Sequence, residues 1–207
     1  MEPLVTSVAP ESDVPDEPAQ QWPCPPAGGY TADHLDRLPN LPPHTELIDG
    51  SLVFVHPQTA FHARAMRLLE NHLLQAAPPE WEVARQMTIT LGPRDRPEPD
   101  VLVVKSEGLM GPEQTAFQPK DVVLAIEVVS ADSEARDRDT KPRKYAAAGI
   151  PHFWRVESDG GLSVVYVFEL EPATKAYVPT GIYRDQLKVG VPFTIDIDLT
   201  AINPRQQ

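Results

Sequence analysis

The 207-residue sequence is poor in the residues that mark several common protein classes. It has a single cysteine, Cys24, so an intramolecular disulfide is impossible and the sequence is unlike disulfide-stabilised secreted domains. It also lacks a zinc-type cluster of cysteine and histidine, a glycine-rich phosphate loop and a GxSxG nucleophile motif. These absences leave zinc enzymes, P-loop NTPases and α/β-hydrolases without support.

Long hydrophobic runs are absent as well. No apolar stretch approaches the ~20 residues that a membrane-spanning helix requires. The N-terminal sequence MEPLVTSVAPESD lacks the basic and apolar regions of a secretory signal. The sequence therefore predicts a cytoplasmic protein that does not associate with membranes.

Basic residues are few. The chain has 18 Lys and Arg against 30 Asp and Glu, which gives a formal net charge of −12. This balance counts against tight non-specific binding of nucleic acid. It is compatible with an enzyme that gathers carboxylates around a metal ion, because the bound ion neutralises part of the charge.

Proline, in contrast, is abundant at 24 residues, and it is concentrated near the N-terminus. Residues 1–29 contain seven prolines and five acidic residues but no Lys or Arg. Such a segment buries too little apolar surface to offset the entropy of ordering. We predict that residues 1–29 form a disordered tail and that residues 30–204 form one folded domain.

The folded part alternates between helical and strand patterns, which predicts an α/β fold with a mixed central sheet flanked by helices. Asp49-Gly50 predicts a hairpin turn. The predicted elements are helices at 31–38, 58–76 and 139–148, the two short strands of that hairpin, and strands at 81–91, 99–105, 121–130, 152–157, 162–170, 175–184 and 193–199.

Two acidic residues lie on apolar strands, where a carboxylate is costly unless it is paired or binds a cation. Asp100 opens the strand at 99–105, and Glu127 lies within the strand at 121–130. On adjacent strands, ~4.8 Å apart, the two carboxylates would form a site for a hard metal ion such as Mg²⁺. The alternatives are that Asp100 is a strand-start residue and that Glu127 pairs with a buried arginine.

Further charged residues flank this pair. Lys141 follows Glu127 and could stabilise negative charge that develops at a phosphate, or position the attacking water. Asp137 precedes it, and Glu46 begins the hairpin. Each also has a simpler interpretation, as a solvated helix-start lysine, a loop or capping aspartate, and a surface or strand-start glutamate. His62, on the second helix, is either a packing residue or a support for the site.

The ordered motifs ELIDG, PDVLVV, IEVVS, D-x-x-x-K-x-x-x-Y and GIPHFWRVE resemble the Uma2 family of restriction-endonuclease-like proteins, within the PD-(D/E)XK nuclease superfamily. The resemblance extends from about Tyr30 to the C-terminal strands. It implies a restriction-endonuclease-like domain and one or two Mg²⁺ ions, with Mn²⁺ as a substitute. It assigns catalytic roles to Glu46, Asp100, Glu127 and Lys141, and metal ligation to Asp100, Glu127 and the backbone carbonyl of Val128.

One departure from the superfamily pattern bears on mechanism. The superfamily lysine lies two residues after the acid, where this sequence has Val129. The lysine must therefore come from another element. Lys141 fits this role if a helix begins near Asp139 or Thr140, because Pro142 is tolerated only in a first turn.

These features predict a Mg²⁺-dependent endonuclease that hydrolyses phosphodiester bonds in DNA, with RNA left open, and that acts as a homodimer. As a hypothesis, Glu127→Ala and Lys141→Ala proteins fold and lose cleavage. One alternative is an inactive nuclease-fold protein that binds DNA or a protein. Another is an interaction protein that dimerises through an edge strand at 162–170.

Overall fold

The computed structural model describes residues 24–203. Residues 1–23 of the predicted tail and residue 204 of the predicted domain lie outside the described residues. The helices are Ala32–Leu35 (α1), Ala60–Ala76 (α2) and Lys141–Ala147 (α3). The strands are Glu46–Ile48 (β1), Ser51–Val53 (β2), Trp81–Arg85 (β3), Thr88–Ile89 (β4), Val101–Lys105 (β5), Ala116–Phe117 (β6), Val122–Val128 (β7), His152–Asp159 (β8), Leu162–Glu171 (β9), Ala176–Tyr183 (β10), Gln186–Val189 (β11) and Ile195–Asp198 (β12).

A six-stranded mixed sheet organises the domain, in the order β10-β9-β8-β7-β5-β3. Its neighbouring strands are antiparallel except for β7 and β8, which are parallel. A parallel pair needs a crossover, and the connection from β7 to β8 contains α3. The predicted α/β class with a mixed central sheet and flanking helices is confirmed.

Each face of the sheet has its own apolar core. On one face, α2 buries Ala65, Leu69 and Leu73 against residues of β5, β7 and the C-terminal strands. The other face packs against α3 and its Tyr145. Side chains alternate along β7, so Ile126 joins the α2 core and Glu127 faces α3.

The hairpin and the long second helix are as predicted. Asp49 and Gly50 have φ values of 52° and 79°, the positive pair that tight two-residue turns require. Helix α1 ends at Leu35, so it is shorter than the helix predicted at 31–38. In the part of the chain that the structure describes, no helix is long and apolar enough to cross a membrane.

Three predicted elements are corrected by the structure. The strand predicted at 81–91 is broken at Gln86, which has a φ of 51°, and β4 leaves the main sheet to pair with β6. The helix predicted at 139–148 is preceded by a π-helical segment at Arg136–Thr140, and α3 begins at Lys141. The segment 162–170 is not an edge, because β9 pairs with β8 and β10 on its two sides.

A buried arginine ties the segment after α1 to strand β4. Arg96 is 4% exposed. It donates to both carboxylate oxygens of Asp36, at 2.7 and 3.0 Å, and to Thr88 Oγ1 at 2.8 Å. A bidentate pair of this kind is stronger than a neutral hydrogen bond.

We expect Arg96→Met to lower the free energy of unfolding by about 2 kcal/mol, because Thr88 and Asp36 lose their charged donor. Urea denaturation measures the loss. The matched control is Arg37→Met, since Arg37 and Asp33 are 3.8 Å apart and both are 77% exposed. The control should lose less than about 0.5 kcal/mol. Equal losses would contradict the role assigned to Arg96.

Candidate active site

The two predicted carboxylates lie on neighbouring strands. Strands β5 and β7 are antiparallel, with Val101 opposite Ile126, so Asp100 comes directly beside the position of Glu127. The Asp100 backbone N–H donates to the Ile126 carbonyl at 3.0 Å. The Val128 N–H donates to Asp100 Oδ2 at 2.7 Å. These bonds fix the Asp100 carboxylate directly before the start of β5. The sequence predicts this position, at the start of an apolar strand.

Glu127 is almost completely buried and both of its carboxylate oxygens are engaged. Oε1 accepts a hydrogen bond from the Tyr145 hydroxyl at 2.6 Å, and Oε2 accepts one from Lys141 Nζ at 3.1 Å. Its charged partner is thus a lysine rather than the arginine considered from the sequence. Burial raises the pKa of the Glu127 carboxyl well above its usual range, against the opposing charge of Lys141.

Lys141 lies inside a ring of carboxylates. Its Nζ is 2.8 Å from Glu46 Oε1, 3.1 Å from Glu127 Oε2 and 3.4 Å from Asp137 Oδ1. Burial alone would lower the pKa of this ammonium. The surrounding carboxylates, Glu127 first, outweigh burial and raise the pKa well above its usual value. Lys141 is therefore a fixed cation and not a solvated helix-start lysine.

The β1–β2 hairpin and the turn before β5 supply further residues around Lys141. Glu46 Oε1 also accepts from the Glu98 backbone N–H at 2.8 Å, which ties β1 to the PEPD segment. Glu98 in turn contacts His44 Nδ1 at 2.5 Å. Glu46 is the first residue of β1, as the strand-start interpretation has it, but it is 2% exposed, so the surface interpretation is wrong.

Asp137 and Lys141 come from the π-helical segment and the start of α3. Asp137 is 1% exposed, and its Oδ1 has no hydrogen-bond donor apart from the ionic contact with Lys141. Burial raises the pKa of its carboxyl. Asp137 lies inside the π-helical segment, and neither this segment nor α3 has a side-chain cap, so the loop and capping interpretations are wrong. A buried acceptor is left under-satisfied beside the ammonium.

These side chains line a cavity of about 40 Å³, which is room for a few waters or a partly hydrated ion. Six acidic residues and two cations, Lys141 and Arg136, line this cavity, so negative charge is in excess. Carboxylate oxygens are the ligands that Mg²⁺ and Mn²⁺ prefer, and the donor chemistry fits a hard divalent cation. Among residues 24–203, no three side chains of His, Cys, Asp or Glu already converge on one metal position.

Val128 also lines this cavity. The ligand set predicted from the resemblance, two carboxylates and one backbone carbonyl, would need waters to complete it. Such a set is typical of Mg²⁺, which keeps several waters when it binds protein.

The sequence left the role of His62 undecided between packing and support of the site. Its Nε2 is 3.0 Å from Asp100 Oδ1, and the side chain is 3% exposed. Its Nδ1 is buried without a hydrogen-bond partner. The sequence did indicate that His62 is buried, because it is in helical register with Ala65 and Leu69 on the inward face of α2.

A family model described as "Putative restriction endonuclease" matches residues 32–200. The chain belongs to the Uma2 family. All of the residues above, from His44 to Tyr145, lie within the matched range. The resemblance predicted from the sequence motifs is thereby confirmed.

A solved structure provides the fold comparison for this Uma2 protein. It is titled as a putative nuclease belonging to DUF820 from Anabaena variabilis ATCC 29413. The two chains are 17% identical, with a TM-score of 0.60, over 83% of this chain and 96% of that chain. At this identity the likeness establishes the nuclease-like fold. No curated protein matches the chain.

Proposed function

We propose that this Uma2 protein is a divalent-metal-dependent endonuclease that hydrolyses phosphodiester bonds in DNA. One observation carries the proposal. Lys141, delivered by α3, lies 3.1 Å from Glu127, which neighbours Asp100 on the adjacent strand. An acid pair and an ammonium therefore meet even though Val129 occupies the place of the superfamily lysine.

Asp100, Glu127 and the Val128 carbonyl would hold Mg²⁺, with Mn²⁺ as a substitute. When bound, the ion lowers the pKa of a coordinated water and neutralises charge on the phosphate. The acid pair suits this role because a divalent cation would relieve the repulsion between the two largely buried carboxylates, which adds to the effect of burial in raising the pKa of Glu127.

The protein's own groups have distinct tasks in this proposal. The Lys141 ammonium stays charged, so it donates hydrogen bonds to the attacking water or to a non-bridging phosphate oxygen. Glu46 and Asp137 hold the ammonium in place. Tyr145 fixes the rotamer of Glu127 from the opposite side. A preorganised cation of this kind costs no reorganisation during the reaction.

The test is a cleavage assay with Mg²⁺ or Mn²⁺ on duplex DNA, single-stranded DNA and RNA. Cleavage of DNA that requires the metal and Glu127 supports the proposal, whereas cleavage of RNA alone would reassign the substrate. The homodimer and the cytoplasmic location stay predictions. Light scattering tests the dimer, for which a two-fold protein acting on a two-fold duplex is the rationale.

A second candidate function is a nuclease-fold protein that binds DNA or a protein without cutting. The position of Lys141 favours it, because the ammonium neutralises carboxylates that would otherwise attract a metal. Calorimetry with Mn²⁺ separates the two candidates. Absence of metal binding together with absence of cleavage would leave only this second function.

His62 is proposed as a positioning residue for Asp100. We expect His62→Leu, which keeps the apolar contacts, to weaken Mn²⁺ binding and cleavage by about 10- to 100-fold. The control is His72→Leu on the same helix, whose ring contacts the Leu68 carbonyl rather than the site. Calorimetry and the cleavage assay measure both variants. Unchanged Mn²⁺ affinity in His62→Leu would limit His62 to packing.

A further inference from the structure

A second, larger cavity lies between α3 and strands β8, β9 and β10, and we call it the α3–β10 groove. Its volume is about 440 Å³, within the range of small-molecule sites. It shares no lining residue with the candidate active site. The two sites use different faces of one segment, since Lys141 faces the active site and Pro142 and Arg143 line the groove.

The floor of the groove is aromatic. The ring of Phe153 lies 5.5 Å from that of Tyr177, nearly parallel at 25°, and 5.6 Å from that of Phe168. Phe153 is buried, whereas Phe168 and Tyr177 are partly exposed. Partly exposed rings on a rigid sheet form a platform on which a planar ligand can stack.

The rim of the groove is basic, which is unusual in a chain of net charge −12. Arg138, Arg143, Arg155 and Lys175 line it against one acid, Asp139. Arg138 and Arg155 share the partner Glu157, and Arg143 pairs with Asp139. Within residues 24–203, the Lys175 ammonium makes no ion pair.

Arg155 links the rim to the floor. Its guanidinium lies 4.7 Å from the centre of the Tyr166 ring and 5.6 Å from that of Phe168. It is held over the sheet by these contacts and by an ion pair with Glu157, in which Nε lies 2.5 Å from Oε1. A guanidinium fixed in this way presents its remaining donors in a plane that matches phosphate oxygens.

We propose that the α3–β10 groove binds one nucleotide unit, with the base stacked on the Tyr177 and Phe168 platform and the phosphate held by Arg143, Arg155 and Lys175. The combination of an aromatic floor and a basic rim fits a ligand that is planar at one end and anionic at the other. The unit is either a free mononucleotide or one nucleotide of a strand. The proposal does not rest on cleavage, because it uses neither the metal nor Glu127.

The experiment measures binding to the full-length protein in EDTA, so that metal-dependent binding and cleavage cannot contribute. The probes are AMP, adenosine, inorganic phosphate and a fluorescent single-stranded DNA octamer. We expect AMP to bind more tightly than adenosine or phosphate. AMP binding without tighter octamer binding identifies a free nucleotide as the ligand, and tighter octamer binding identifies a strand.

The groove variant Arg143→Glu/Lys175→Glu should weaken binding of the tighter probe at least about tenfold, and should lower the salt dependence for the octamer. The matched control is Arg184→Glu/Lys188→Glu, which reverses two comparably exposed cations outside the groove. The control should change binding by less than about twofold. Tyr177→Leu should weaken AMP but not phosphate, and thermal melting checks that each variant is folded.

Three results would overturn the proposal. Equal losses in the groove and control variants would indicate non-specific attraction by surface charge. Phosphate binding as tight as AMP binding, with no effect of Tyr177→Leu, would reduce the groove to an anion site. Binding of a peptide of residues 1–23 in place of AMP, with the same sensitivity to substitution, would make the groove a peptide site.

Discussion

The Glu127→Gln protein is expected to fold normally and to lose metal-dependent DNA cleavage by about a thousandfold or more. Glutamine keeps the shape of the side chain and can still accept a hydrogen bond from the Tyr145 hydroxyl. Lys141 keeps Glu46 and Asp137 as partners. The variant therefore loses one carboxylate metal ligand and its contact with Lys141, while the other surrounding contacts remain.

The assay compares wild type, Glu127→Gln and the matched control Glu82→Gln on supercoiled and linear DNA over a range of Mg²⁺ and Mn²⁺. Glu82 is an exposed glutamate on β3 of the same sheet, and its substitution should leave cleavage unchanged. Calorimetry should show weaker Mn²⁺ binding for Glu127→Gln alone. Full cleavage by a folded Glu127→Gln protein would refute the assignment of the site.

Lys141→Met is expected to lower the free energy of unfolding by about 3–5 kcal/mol at neutral pH. Methionine matches much of the lysine volume but removes the cation between Glu46, Glu127 and Asp137. Three buried carboxylates then repel one another without a counter-charge. The hypothesis from sequence that Lys141→Ala stays folded remains a prediction, and the burial of the ammonium adds that such a variant is less stable.

A double-mutant cycle separates this cause from a simple packing loss. Glu127→Gln in the Lys141→Met background should recover stability, since one of the unpaired charges is gone. The matched control Lys188→Met removes an exposed cation 3.1 Å from Asp196 and should cost less than about 1 kcal/mol. Urea denaturation gives all four values. Additive losses in the cycle would contradict the charge argument.

Much of the fold was predictable from local sequence patterns. The Asp49-Gly50 pair, the helical register of α2 and the apolar strands β5 and β7 are local signals, and each element forms where it was predicted. Local patterns failed at Gln86 and at the π-helical segment, where backbone conformations follow tertiary contacts such as the bond from the Gln86 N–H to the Asp100 carbonyl.

The sequence by itself determined which acids lie on buried strands, and so which residues needed a cation. Only the tertiary structure decided which groups meet them: Lys141 and Tyr145 at Glu127, and His62 at Asp100. It also decided that Asp137 and Glu46 are buried, and that Arg155 lies over an aromatic floor. The physical reason is that periodicity specifies which face of an element is buried. Partners far apart in sequence are specified only by how helices and strands pack, and burial then sets the charge states of the groups that meet.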